Sequence, residues 1–131
     1  MIANIIVEQT KDGDFSCFVE EDIPYVGLLG YGSSSEEAIN SLVDFYNQSK
    51  EDLRAEGKKL PDLKFVIHYD MPSFFNRFNF LNQSKIAERA GINPSLMRKY
   101  TSGVARAGQK QYDKLHTAVQ VIAKEMLAAA F

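Results

Sequence analysis

The chain has 131 residues, of which 45% are hydrophobic and 24% are charged, a composition typical of a globular protein with a substantial core. No run reaches the ~20 consecutive apolar residues that a membrane span requires, and no basic leader precedes the first apolar stretch, so we expect no membrane segment and no secretory signal. The single cysteine, Cys17, excludes an internal disulfide and suits a reducing cytoplasm, where we expect the protein to act.

The small net charge of −2 hides an uneven distribution of charge along the chain. Residues 1–71 contain 14 acidic and 6 basic residues, a net charge of −8, whereas residues 72–131 contain 3 acidic and 9 basic residues, a net charge of +6. This division predicts two modules with different partners. A basic module suits a polyanion such as nucleic acid, and an acidic module suits a basic protein.

The N-terminal residues have the pattern of three consecutive strands. β-Branched residues predict a strand over residues 2–9, and an Asp-Gly pair predicts a hairpin turn into a second strand over residues 15–21. A glycine-rich stretch then leads to a short third strand around residues 28–31. Cys17 lies between apolar residues on one face of the second strand, so we expect a packed rather than a reactive thiol.

The clearest helix of the sequence follows these strands. Ser34 and Glu37 have the spacing of a capping box, in which the hydroxyl and the carboxylate satisfy amide donors of the first turn. Gly57 ends the helix, and residues 63–70 predict a fourth strand. The order of the first module is therefore β-β-β-α-β. The helix carries an apolar stripe that comprises Ala38, Ile39, Leu42, Val43, Tyr46 and Leu53.

From Pro72 onward the sequence predicts helices only, beginning with a helix that carries Phe74, Phe75, Phe78 and Leu81 on one side. The last helix is predicted over residues 108–131, with apolar residues at helical spacing. These apolar residues are Tyr112, Leu115, Val119, Ile122 and Met126. The predicted fold class is α+β, with one domain over residues 1–71 and an all-α domain over residues 72–131.

The stretch QSKIAERAGINPSLMRKYTSG, residues 83–103, predicts two short helices with a tight corner between them. Gly91 ends the first helix at a position where a left-handed φ costs little only for glycine. Asn93 is the predicted N-cap of the second helix and Pro94 its first residue. The second helix is predicted to bury Met97 and Tyr100 and to expose Ser95, Arg98, Lys99 and Ser102.

The spacing of Gln83, Ala87, Gly91, Met97, Tyr100 and Gly103 resembles the helix-turn-helix of the lambda-repressor/Cro-like family. In that family the second helix lies in the major groove of double-stranded DNA. The resemblance implies the following DNA-binding residues: Gln83, Ser84, Asn93, Pro94, Ser95, Arg98, Lys99, Arg106 and Lys110. Arg106 and Lys110 would contact phosphates, and Gln83 would lie near the backbone.

Two of these residues are weak candidates for base recognition. Pro94 has no N–H to donate. The short hydroxyl of Ser95 can hydrogen-bond to several different bases, so it discriminates little between them. Sequence discrimination is therefore expected to depend on Arg98 and Lys99. Because one recognition helix contacts few base pairs, we expect a homodimer or higher homo-oligomer that places two such helices about 34 Å apart on two half-sites.

The first module, and the order of the two modules, resemble the HicB antitoxin family. The resemblance rests on the Asp-Gly hairpin, the aromatic-led second strand, the glycine-flanked third strand and the Ser-x-Glu-Glu-Ala motif at residues 34–38. It implies a partial ribonuclease H-like domain that blocks a small basic mRNA-cleaving HicA-like toxin, and a repressor that binds its own operator DNA. The toxin-contacting residues are unknown, and the acidic rim of Glu20, Glu21 and Asp22 is the candidate.

Two other functions stay open at this point. One is a one-component transcriptional repressor whose N-terminal domain senses a small ligand in a pocket lined by residues 23–32. The other is a nuclease, which needs several carboxylates around divalent metal ions, with Glu8 and Glu20 approaching each other across the sheet. Because neither His68 nor His116 lies in a catalytic or metal-ligand pattern, we expect no enzyme, no catalytic or metal-ligating residue and no cofactor.

Overall fold

The computed structural model describes all residues 1–131 and has the predicted α+β class. The predicted β-β-β-α-β order and the purely helical remainder are both confirmed. None of the helices combines the length and the apolarity that crossing a membrane requires. The elements are β1 (Ile2–Gln9), β2 (Phe15–Val19), β3 (Leu29–Gly32), α1 (Ser35–Ala55), β4 (Lys64–Tyr69), α2 (Met71–Arg77), α3 (Gln83–Ala90), α4 (Pro94–Thr101) and α5 (Gln109–Ala128).

The chain folds as two compact units, an N-terminal unit of Met1–Arg77 and a C-terminal unit of Phe78–Phe131. The N-terminal unit contains one sheet with the strand order β3-β2-β1-β4. The first three strands are antiparallel neighbours, whereas β4 runs parallel to β1. Helix α1 makes the crossover between β3 and β4 and packs on one face of the sheet, where its side chains meet the alternating buried residues of β1 and β2.

Helix α1 lies very close to the sheet at Gly30. A Cβ atom at this position would lie 2.2 Å from the carbonyl oxygen of Ala38 and 2.9 Å from Cβ of Leu42. The same carbonyl accepts a hydrogen bond of 3.2 Å from the thiol of Cys17. Burial raises the pKa of Cys17 to about 11, so the thiol stays protonated at neutral pH. The predicted packed thiol is confirmed.

The start of α1 has one half of the predicted capping box, the hydroxyl cap of Ser34, whereas the Glu37 carboxylate accepts from a hydroxyl and not from an amide of the first turn. The Ser34 hydroxyl accepts a hydrogen bond of 3.1 Å from the Glu37 amide. The Glu37 carboxylate accepts from the hydroxyl of Ser33 at 3.0 Å. At the other end, Gly57 has a φ of 76°, which is the left-handed conformation expected after a helix C-terminus.

Helix α2 ends at Arg77, so the prediction of one helix reaching Phe78 and Leu81 is wrong. Its contacts tie it to the N-terminal unit. The hydroxyl of Ser35 donates to the carbonyl of Ser73 at 2.7 Å, and the Ser35 amide donates to Oδ1 of Asn76 at 2.8 Å. Both serines are fully buried. These bonds explain why the boundary between the units follows Arg77, whereas the change of composition occurs earlier, at Pro72.

The C-terminal unit is built around α3, which packs against both α4 and α5. An Arg89–Glu125 pair with two N–O distances of 2.9 and 2.7 Å also joins α3 to α5. The predicted apolar stripe of α5 is buried at Leu115, but Met126 is 65% exposed. The core of this unit comprises Ile86, Ala87, Ile92, Met97, Tyr100, Leu115 and Ala118.

Candidate nucleic-acid interface

The corner between α3 and α4 has the predicted geometry. Gly91 follows α3 with a φ of 73°, in the left-handed region. The amide of Ile92 donates to the carbonyl of Ala87 at 2.9 Å, and the Ile92 side chain is buried at the corner. This closed corner fixes the direction in which α4 leaves α3.

Asn93 and Pro94 begin α4 as predicted. Oδ1 of Asn93 accepts hydrogen bonds from the amides of Ser95 at 2.8 Å and Leu96 at 3.4 Å, and Pro94 is the first helical residue. The amide oxygen of Asn93 is therefore engaged inside the protein. Its amide nitrogen is the group that remains to donate to DNA, and the DNA contact itself stays a prediction.

Replacing Asn93 with alanine should lower the free energy of unfolding by about 1 kcal/mol, because two amides of the first turn of α4 lose their acceptor. Urea denaturation of the full chain measures this change. Asn93→Ser is the matched control, since serine also caps helices, and it should retain most of the stability. Equal losses in the two variants would contradict a capping role.

The outward face of α4 is polar and basic. Met97 and Tyr100 are buried, whereas Ser95, Arg98 and Lys99 are exposed. The guanidinium of Arg98 donates to the hydroxyl of Ser95 at 3.1 Å, which orients the side chain without neutralising its charge. No ion pair involves Arg98 or Lys99. The face therefore presents two uncompensated positive charges.

Gln83 begins α3 and is held by a residue that the sequence did not single out. The hydroxyl of Thr101, at the end of α4, donates to Oε1 of Gln83 at 2.9 Å. Because the amide oxygen accepts internally, the amide nitrogen is the donor left for a phosphate. Ser84 follows as the second, half-buried residue of α3. Asn82 caps this helix by accepting from the Lys85 amide, a role that an asparagine before a helix could have predicted.

Two further predicted residues lie beside the C-terminal end of α4. The amide of Ala105 donates to the carbonyl of Lys99 at 3.1 Å, so the turn that carries Arg106 folds back onto α4. Nε2 of Gln111 donates to the Tyr100 hydroxyl at 3.4 Å, which places the first turn of α5, with Lys110, near the same end. Neither Arg106 nor Lys110 forms an ion pair. The structure thus places the backbone of Arg106 and Lys110 near the end of the helix that carries Arg98 and Lys99.

Replacing Arg106 with alanine should weaken DNA binding to a similar extent for all sequences, because a phosphate contact carries no base information. The slope of log K against log salt concentration should fall by about one. Fluorescence anisotropy with an operator fragment and a scrambled fragment, each at several salt concentrations, measures both effects. A loss confined to the operator would instead indicate that Arg106 contacts bases.

The predicted acidic rim divides into two kinds of residue. The carboxylate of Glu21 accepts from the backbone amide of Asn4 at 2.5 Å and from its side-chain amide at 2.8 Å. These hydrogen bonds lower the pKa of Glu21, and they occupy its oxygens within the N-terminal unit. Glu20 and Asp22 are exposed, so their carboxylates are accessible to a partner.

The carboxylates considered for a nuclease are not brought together. Glu20 pairs with Asn4 in the antiparallel ladder, whereas Glu8 lies opposite Ser16. The two glutamates are therefore four positions apart along β1, or about 13 Å, and the prediction that they approach each other is wrong. No group of three or more histidine, cysteine or acidic side chains is arranged to hold a metal ion.

The segment considered for a ligand pocket contributes to the core instead. Ile23 and Leu28 are buried against the sheet and α1, and Tyr25 is exposed. A shallow, open depression lies elsewhere, along the polar side of α1. Its lining comprises Ser34, Glu36, Glu37, Asn40, Ser41 and Asp44. This surface lacks the apolar concavity that small-molecule sites have.

Comparisons of the chain with protein-family models, with curated proteins and with solved structures find no match.

Proposed function

We propose that the protein is a cytoplasmic antitoxin and transcriptional repressor. Its C-terminal unit binds operator DNA through α4, and its N-terminal unit binds and blocks a small basic mRNA-cleaving toxin. The observation that carries the proposal is the exposed face of α4, where Arg98 and Lys99 have no ion-pair partner. Two helices that serve only to pack against each other in a core do not require an exposed basic face.

The C-terminal unit has the charge and the shape for DNA. Within Phe78–Phe131 there are eight basic and three acidic residues, a net charge of +5. Two of the basic residues, Lys85 and Arg89, are paired with glutamates, but the cations around α4 are not. An α-helix fits the major groove, which is about 12 Å wide. The amide nitrogen of Gln83 and the cations Arg106 and Lys110 would then hold phosphates on either side of the recognition helix.

The N-terminal unit has the opposite charge. Residues 1–77 contain 14 acidic and seven basic residues, a net charge of −7. A unit of this charge repels nucleic acid and attracts a basic protein. The sheet order β3-β2-β1-β4 with one parallel pair at β4 supports the partial ribonuclease H-like domain that the sequence resemblance implies.

The proposal is tested with the full chain in two assays. In an electrophoretic mobility shift, the chain should bind the DNA upstream of its own gene more tightly than a scrambled fragment of the same length. In an RNA-cleavage assay, it should suppress a basic ribonuclease encoded beside it. Light scattering should show at least a dimer, since two half-sites require two recognition helices. The absence of both binding activities would contradict the proposal.

A further inference from the structure

The sheet of the N-terminal unit has a second face, on which α1 does not pack. Side chains alternate between the two faces of a strand, so the neighbours of buried Ile5 and Cys17 point to this second face. In the strand register, His68 pairs with Ile6, Ile6 with Phe18, and Phe18 with Leu29. These four residues form one row across all four strands. We call this row, together with the neighbouring rows on the same face of the sheet, the open face.

The open face is apolar at its centre and exposed to solvent. Phe18 is 39% exposed and Leu29 is 55% exposed. The flanking rows add Tyr31, which is 65% exposed, and Val66, which is 38% exposed. Large apolar side chains on adjacent strands form a continuous patch, and such patches in proteins mark interaction sites.

A polar network holds one side of the open face in place. Oδ1 of Asn4 lies 2.8 Å from Nε2 of His68, and the amide of the Asn4 side chain donates to Glu21. Asn4 therefore joins β1 to β4 and to the segment that follows β2 with its side chain alone. The surface is preorganised, because these contacts exist before any partner binds.

The charge of the open face selects among the partners that could cover it. Glu8 and Glu20 flank the apolar row, are exposed and form no ion pair, and the one lysine of this face, Lys64, lies at its β4 edge opposite Ile2. Face-to-face pairing of two copies would bring two units of net charge −7 together, and like charges across an interface are unfavourable. A nucleic acid would be repelled for the same reason. A basic protein whose contact surface is apolar at its centre fits both the negative charge of the unit and the exposed apolar row.

We infer that the open face is the surface on which the N-terminal unit binds its basic protein partner, with Phe18 and Leu29 as the apolar anchors and Glu20 as a charged contact. The inference rests on the proposed antitoxin function and locates the partner site of that function. Of the predicted acidic rim it keeps Glu20 as a partner contact, whereas the Glu21 carboxylate is engaged by Asn4 within the unit.

Four full-length variants test the inference. Leu29→Arg and Glu20→Lys alter exposed side chains of the open face and place positive charge against a basic partner. Phe45→Arg and Asp44→Lys make the same kinds of change on the exposed side of α1. The probes are the purified products of the reading frames on either side of the gene, and titration calorimetry gives Kd. Urea denaturation verifies that each variant is folded.

The wild-type chain should bind a small basic product. Leu29→Arg and Glu20→Lys should each raise Kd at least about tenfold, the loss expected at an interface anchor or a close charge contact, whereas the two α1 variants should stay within about twofold. If the wild type binds the product and all four variants bind equally well, the open face is not the site, although the antitoxin function stands. If Leu29→Arg instead dissociates a homo-oligomer, the face is an interface between copies and the inference fails. If the wild type binds neither product, the antitoxin function fails as well.

Discussion

Replacing Arg98 with alanine is expected to weaken binding of operator DNA by about 1–3 kcal/mol, or roughly fivefold to 150-fold in Kd, if its guanidinium contacts a base edge. The structure favours a large effect, because Arg98 is exposed, held in place by Ser95 and not neutralised by any carboxylate. Lys99→Ala should cause a loss in the same range. Fluorescence anisotropy against the operator and against single-base variants of it measures both the affinity and the specificity.

The matched control is Lys11→Ala, which removes an exposed cation from the β1–β2 hairpin of the acidic unit. It should leave operator binding unchanged within about twofold, since it removes no contact to the duplex. Unchanged affinity in both Arg98→Ala and Lys99→Ala would rule out α4 as the recognition helix. A loss that is equal for all DNA sequences would assign the two side chains to phosphates rather than to bases.

Replacing Gly30 with alanine is expected to lower the free energy of unfolding of the N-terminal unit by about 3 kcal/mol, the upper range for overpacking a core. The new Cβ would meet the carbonyl oxygen of Ala38 at 2.2 Å. This oxygen belongs to the backbone of α1 and cannot rotate away, so the helix must move from the sheet. The movement would also stretch the bond from the Cys17 thiol to the same oxygen.

Gly27→Ala is the matched control for this prediction. A Cβ at Gly27 meets no atom within 4 Å, and Gly27 has no positive φ. Its replacement should therefore change stability by less than about 0.5 kcal/mol. Urea denaturation followed by circular dichroism compares the two variants. Similar stabilities would show that the contact between α1 and β3 is looser than the structure indicates.

The local features of the fold could be predicted because each depends on residues close together in the chain. The hairpin needs only the Asp-Gly pair, and the corner before α4 needs only Gly91, Asn93 and Pro94. The outward face of α4 follows from helical spacing, since Met97 and Tyr100 lie three positions apart on one side of that helix and both are buried.

Other features depend on partners distant in sequence. The end of α2 could not be predicted from its aromatic residues, because the helix is held by bonds from Ser35 to Ser73 and Asn76. The distance between Glu8 and Glu20 depends on the register of β1 and β2, which no single strand specifies. The exposure of Met126 depends on how much of α5 is covered by the other helices of the C-terminal unit, which helical spacing alone does not give.

Composition and short-range spacing are enough to specify the two charge modules, the order of the elements and the cations of the candidate DNA-binding helix. These properties are encoded in composition and in short-range spacing, and folding does not alter them. Three other features appear only in the folded chain: the amide oxygen of Gln83 is engaged by Thr101, Glu21 is engaged by Asn4, and apolar side chains form a row on the open face. The reason is that hydrogen-bond partners and strand register join residues far apart in the chain, and their pairing exists only once the strands and helices have packed.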